Sequence, residues 1–126
     1  MEEAYHFQDK RILVVDDEEF NWLMIKAALE DTGVTVDWAR VGQEAIDLVA
    51  AGEHYDLIMM DMSMPVLDGF ETTVRIKKIN SSIPIIAQTA FAMSEEKVKC
   101  MEAGCNDYLS KPISIGELLE AIGKYL

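Results

Sequence analysis

Three carboxylates, a hydroxyl and an ammonium group follow the carboxyl ends of four short apolar runs in this chain. Ile12-Leu13-Val14-Val15 leads into Asp16-Asp17-Glu18-Glu19, and Leu57-Ile58-Met59-Met60 into Asp61. Pro84-Ile85-Ile86-Ala87-Gln88 leads into Thr89, and Asn106-Asp107-Tyr108-Leu109-Ser110 into Lys111-Pro112. Parallel strands buried on both faces have this uninterrupted apolar character, and open α/β sheets bind ligands at the carboxyl ends of their strands. Asp16, Asp17, Asp61, Thr89 and Lys111 would then converge on one sheet edge, as a site for a divalent cation and a phosphoryl group.

The charges support that chemistry. Two carboxylates about 4 Å apart repel by about 4 kcal/mol at an effective dielectric near 20. A hard divalent cation such as Mg²⁺ removes the penalty with oxygen ligands, waters and a phosphate. Acids starting a helix at Asp16-Asp17-Glu18-Glu19 would satisfy the helix macrodipole by themselves. That does not account for Asp61, Thr89 and Lys111 at three other strand ends. An Asp carboxylate is a competent nucleophile toward phosphorus. The roles sort accordingly: Asp61 attacks, Asp16 and Asp17 hold the metal, and Thr89 and Lys111 hold the phosphoryl oxygens.

Alternating elements must place these groups. Strands are expected at 11–16, 34–39, 56–60, 84–88 and 107–109. The helix after strand one carries Phe20, Leu23, Met24 and Ala27 at i, i+3, i+4, i+7, and Gly33 ends it. Trp22 and Ile25 fall off that stripe, free to anchor a partner helix or to pack on the leader. A second helix covers 42–51 with Ala45, Leu48 and Val49 on one face. A third follows the loop Met62 to Gly69 and runs to about Asn80. The fourth starts near Ser94, closes at Gly104 and has little besides Val98 and Met101 to bury, which makes it the expected moving part. The last begins at Ser114, with Glu117 completing a capping box and Ile115, Leu118, Leu119 and Ile122 as its stripe. Five β-α units with right-handed crossovers make an α/β domain with a doubly wound parallel sheet. Residues 1–9 read as a leader or linker remnant and 10–126 as the domain.

Composition narrows the function. Half of the 126 residues are hydrophobic, enough for one real core. A formal charge of −12 argues against a nucleic-acid surface, and the one basic group, Arg75-Ile76-Lys77-Lys78, reads as a solvated helix face. Cys100 and Cys105 match no metal-ligand spacing and suit a reducing cytoplasm. No apolar stretch reaches a membrane span and the N-terminus lacks a signal-peptide core, so a cytoplasmic domain without membrane contact is expected.

As a set, Asp16-Asp17, the segment Asp61-Met62-Ser63-Met64-Pro65-Val66-Leu67-Asp68-Gly69, Thr89-Ala90 and Tyr108-Leu109-Ser110-Lys111-Pro112 resemble the receiver domains of bacterial two-component signalling. The resemblance covers Lys10 to Leu126. It implies a flavodoxin-like (βα)5 fold, with the family's strand order 2-1-3-4-5. It implies phosphoryl transfer from the phosphohistidine of a histidine kinase or histidine phosphotransfer protein to Asp61, and slow self-dephosphorylation. Mg²⁺, with Mn²⁺ as a substitute, would be bound by Asp17, Asp61 and the Ser63 backbone carbonyl, with Asp16 acting partly through water. Thr89 and Tyr108 would move together as the switch, and Lys111-Pro112 would be a cis peptide. Phe91, two residues after Thr89, would impede hydrolytic water and lengthen the phosphoaspartate lifetime.

The stretches Ile85 to Met93 and Glu102 to Tyr108 resemble receivers of hybrid sensor histidine kinases. The linker-like first ten residues favour a receiver excised from a kinase, tethered to a membrane sensor in the full chain, over a stand-alone regulator. Two other classes share the sheet. Haloacid-dehalogenase-like phosphotransferases need an acid two residues after the nucleophile, where this chain has Ser63. An FMN carrier needs an anion-binding loop after strand one, where this chain has four acids. A receiver-shaped module that no longer signals is the remaining alternative.

Overall fold

The computed structural model describes residues 5–90 and 94–126. Its strands are β1 (Arg11–Val15), β2 (Thr35–Ala39), β3 (Leu57–Asp61), β4 (Ile85–Thr89) and β5 (Asp107–Ser110). They form one parallel sheet in the order β2-β1-β3-β4-β5, as the resemblance implies. The helices are α1 (Glu19–Ala28), α2 (Gly42–Ala50), α3 (Gly69–Ile79), α4 (Ser94–Ala103) and α5 (Ile115–Gly123). A short 3-10 turn, Glu30–Thr32, separates α1 from Gly33, whose φ of +82° suits glycine.

Period-two alternation divides the strand residues between two apolar layers. Leu13, Val15, Ile58, Met60, Ile85 and Ala87 face one layer with residues of α2, α3 and α4. Ile12, Val14, Leu57, Met59 and Ile86 face the other, with Ile25 and Leu29 on one side and Leu118, Ala121 and Ile122 on the other. Covering both faces explains why the central strands are apolar throughout. Phe7 joins the second layer: it is buried, and its N–H donates to the Thr32 carbonyl at 2.7 Å.

Three helices differ from the sequence expectation. In α1 the buried side is built from Ile25, with Leu29 just beyond the helix and Trp22 and Ala28 half-buried. Phe20 is 68% exposed and Leu23 and Met24 are each 47% exposed. The helix is apolar enough to offer two stripes of the same period, and only contact with the sheet selects between them. In α4, Cys100 is fully buried while Val98 and Met101 are exposed. In α5, Ile115 is exposed and Ala121 takes a buried place beside Leu118 and Ile122. The expected cap at Ser114 forms, accepting from the Glu117 N–H at 3.2 Å, and Asp68 caps α3 as well, accepting from the Glu71 N–H at 2.9 Å.

Candidate functional site

Asp16, the first residue past β1, is fully buried and held on every side. Its N–H donates to the Ala39 carbonyl at 3.1 Å, and its own carbonyl accepts from the Trp38 indole at 2.8 Å. Its carboxylate accepts from the Glu18 N–H at 2.9 Å and from Asn21 Nδ2 at 3.2 Å. The first of these bonds is an Asx-type turn, which sends the chain from strand to helix and leaves Asp17 exposed at the rim.

Asp61 closes β3 and is 3% exposed. Its Oδ1 accepts from the Ser63 N–H at 3.2 Å and from Lys111 Nζ at 3.3 Å. Burial, and then the neighbouring Asp16 charge, push its carboxyl up to about 6 against the opposing pull of Ser63 and Lys111. Gly69 is required nearby, because a Cβ there would collide with the Asp61 carbonyl.

Lys111 reaches the site through β4. Its N–H donates to the Thr89 carbonyl at 2.8 Å, and Nζ comes within 3.8 Å of Asp16 Oδ2 as well as bonding Asp61. Thr89 ends β4 opposite Ser110, buried. The Lys111-Pro112 peptide is cis. Tyr108 lies in β5 beside Ala87, half-buried against the α2–α3–α4 layer with Lys97 Nζ 5.1 Å from its ring centroid. Phe91 lies outside the described residues.

One ligand oxygen from each of Asp16, Asp17 and Asp61 lies within 4.8 Å of the others. Three hard carboxylate donors suit Mg²⁺ or Mn²⁺ better than a soft-ligand metal. The three carboxylates and the Lys111 ammonium sum to a formal charge of −2 (three minus one), which a divalent ion balances.

The loop after Asp61 turns sharply. Leu67 N–H donates to the Pro65 carbonyl at 2.8 Å across Val66, whose φ is +67° and whose side chain is fully exposed. A β-branched residue in this region is strained. A cleft of about 660 Å³ opens beside the site between α1 and the start of α5, with Phe20, Met24, Ile113 and Ile115 in its wall and Asp61 and Lys111 at its end.

A family model for the response regulator receiver domain matches residues 12–123. The chain belongs to the response regulator receiver domain family. This receiver is 39% identical to the polar-differentiation response regulator DivK of Brucella ovis over 119 residues, which are 93% of this chain and 96% of DivK. It is also 39% identical to part of the sensor protein GacS of Pseudomonas syringae pv. syringae, covering 91% of this chain and 13% of GacS. Among solved structures it matches the chemotaxis protein CheY4 of Vibrio cholerae with a TM-score of 0.85 at 29% identity, over 93% of this chain and 98% of that one. It also matches the receiver domain of a Pseudomonas aeruginosa PAO1 sensor histidine kinase, with a TM-score of 0.83 at 36% identity over 92% and 96% of the two chains. That structure has a magnesium ion coordinated in its active site cleft.

Receiver domains take phosphoryl groups from histidine kinases and generally bind Mg²⁺ at an acidic site, and in this receiver Asp16, Asp17 and Asp61 form an acidic cluster. No described helix is long and apolar enough to cross a membrane. Sequence reasoning overlooked Asn21, Trp38 and Gln88. Asn21 was legible as a helical neighbour of the acidic pair. Trp38 is twenty-two residues from Asp16 and carries no local signal. Gln88 lines the cleft, fully buried, and its Nε2 has no hydrogen-bond partner among the described residues.

Proposed function

We propose that Asp61 is the phosphoacceptor of this receiver, and that Asp16, Asp17, Asp61 and the Ser63 backbone carbonyl hold Mg²⁺, or Mn²⁺ in its place. The observation that carries the reading is the buried Asp61 carboxylate, with a second buried carboxylate beside it and a single lysine bonded to it. An aspartate kept in such repulsive company is poised for a cation and an electrophile rather than for packing.

The transfer follows from the placement. An Asp61 carboxylate oxygen bonds to phosphorus, the P–N bond to the donor imidazole breaks, and its electron pair returns to the ring nitrogen. Ser63 N–H and Lys111 both engage Oδ1, so Oδ2 keeps the more available lone pairs for the attack. Lys111 Nζ and the Thr89 hydroxyl hold phosphoryl oxygens, while Asn21 and the Glu18 N–H keep Asp16 in place. Bound Mg²⁺ supplies neutralising charge to the same oxygens. Movement of Thr89 toward the phosphoryl group, with Tyr108 following, is the proposed switch. Its output would bias the surface formed by α4, β5 and α5.

The donor docks on the exposed stripe of α1 and the cleft wall next to it. Phe20, Met24 and Ile115 form the apolar anchor there, in place of Trp22 and Ile25, which the fold turns inward. The reading of the chain as a hybrid-kinase receiver and the reading as a stand-alone regulator call for the same transfer, and each has a relative of equal identity.

Intact mass after Mg²⁺ and acetyl phosphate tests the acceptor. One phosphoryl adduct is expected, absent in Asp61→Asn and abolished by chelation. If acetyl phosphate gives none, a phosphorylated histidine protein is offered next, and failure with both donors overturns the reading in favour of a non-signalling module.

A further inference from the structure

Trp22 of α1 and Trp38 of β2 stack almost parallel, with ring centroids 4.8 Å apart and planes 8° from each other. Lys26 Nζ lies 5.1 Å from the Trp22 centroid and Arg40 Cζ 4.5 Å from that of Trp38. Rings this close leave no space between them, so each cation takes an outer face. The result is a four-layer ladder, cation to indole to indole to cation, joining α1 to β2.

The two indoles differ in one respect. Trp38 Nε1 donates to the Asp16 carbonyl at 2.8 Å, whereas the buried Trp22 Nε1 has no hydrogen-bond partner among the described residues. The Asp16 carbonyl is part of the Asp16–Asp17 peptide, so its direction sets where the Asp17 side chain starts. The Asp16 N–H is held by the Ala39 carbonyl at the end of the same strand. The end of β2 thus grips both backbone groups of Asp16, and the stacked ladder prevents the gripping ring from swinging away.

We infer that Trp38 is a positioning residue for the acidic cluster, acting through the Asp16 carbonyl to aim Asp17 at a divalent cation. This rests on the Mg²⁺ reading above. Groups that orient metal ligands are worth about tenfold or more in metal affinity.

The test is calorimetric titration of the intact chain with Mg²⁺ alone at constant ionic strength, comparing wild type, Trp38→Phe and Trp22→Phe. Both variants keep two stacked aromatic rings, and only the first removes the bond to Asp16. Trp38→Phe is expected to weaken Mg²⁺ binding about tenfold. Trp22→Phe is expected to leave it within about twofold, a difference below 0.5 kcal/mol. Near-wild-type affinity in Trp38→Phe, or equal losses in both variants, overturns the inference. A second measurement on unmodified protein guards against misfolding of the variant. The Trp38 indole N–H resonance should shift more than that of Trp22 on saturation with Mg²⁺, and equal or absent shifts overturn the inference. A wild-type protein that binds no Mg²⁺ overturns the metal reading itself, which separates that failure from this one.

Discussion

Lys111 and Asp61 stand two strands and fifty residues apart, yet Lys111 Nζ lies 3.3 Å from Asp61 Oδ1. The contact spans the end of β4, whose last carbonyl receives the Lys111 N–H. Lys111 is the only lysine or arginine within ion-pairing distance of Asp16 or Asp61 among the described residues.

Removing it should therefore separate metal binding from transfer. Lys111→Ala leaves the carboxylates without their counter-charge, and at an effective dielectric near 20 each such interaction is worth about 4–5 kcal/mol. Mg²⁺ binding is expected to tighten severalfold in calorimetry. The rate of adduct formation with acetyl phosphate is expected to fall about a hundredfold, because a donor to the transferring oxygens is lost. A variant that weakens Mg²⁺ binding would contradict the charge balance drawn above.

The carboxyl of Asp61 gives a signed pH dependence. Its folded value of about 6 lies above the roughly 3.9 of an unfolded aspartate, so the folded state binds more protons between the two. Asp61 therefore favours the metal-free folded state below about pH 4, and that contribution is lost as pH rises through about 6. Urea unfolding in chelator should show wild type falling by about 2 kcal/mol relative to Asp61→Asn between pH 4 and pH 7. Saturating Mg²⁺ at pH 7 should narrow or reverse the gap.

The strained turn at Val66 is a stability reserve. Val66→Gly keeps the Pro65–Leu67 hydrogen bond and removes the strain of a branched side chain at positive φ. A net gain of about 1 kcal/mol is expected after the greater unfolded-state freedom of glycine is deducted. Chemical denaturation measures it, and a loss of stability would mean that the exposed isopropyl group makes a contact of its own.

Donor docking on α1 is testable without disturbing the chemistry. Met24→Lys places a charge on the exposed stripe and in the cleft wall, away from the buried face that carries Ile25. Transfer from a phosphorylated histidine protein should slow about tenfold or more, while labelling by acetyl phosphate stays at wild-type rates. Equal slowing with both donors would place Met24 in the chemistry instead of the docking surface.

The strands, their order of appearance and the residues at their carboxyl ends were legible from the chain itself. A strand buried on both faces is a short uninterrupted apolar run, and a run followed by a chemically loaded residue marks one end of a sheet. Asp16, Asp17, Asp61, Thr89 and Lys111 could be picked out for that reason, and the cap at Ser114 from its spacing to Glu117. What the tertiary structure decided were choices between locally equivalent states and meetings between distant residues. The two apolar stripes of α1 have the same period, and contact with the sheet buried Ile25 and left Phe20 and Met24 in the open. The grip of Trp38 on Asp16 joins residues twenty-two positions apart at the ends of neighbouring strands, and the raised carboxyl of Asp61 depends on burial and on the charge of Asp16. Local periodicity carries no information about such pairs, because their energies exist only once the sheet has brought them together.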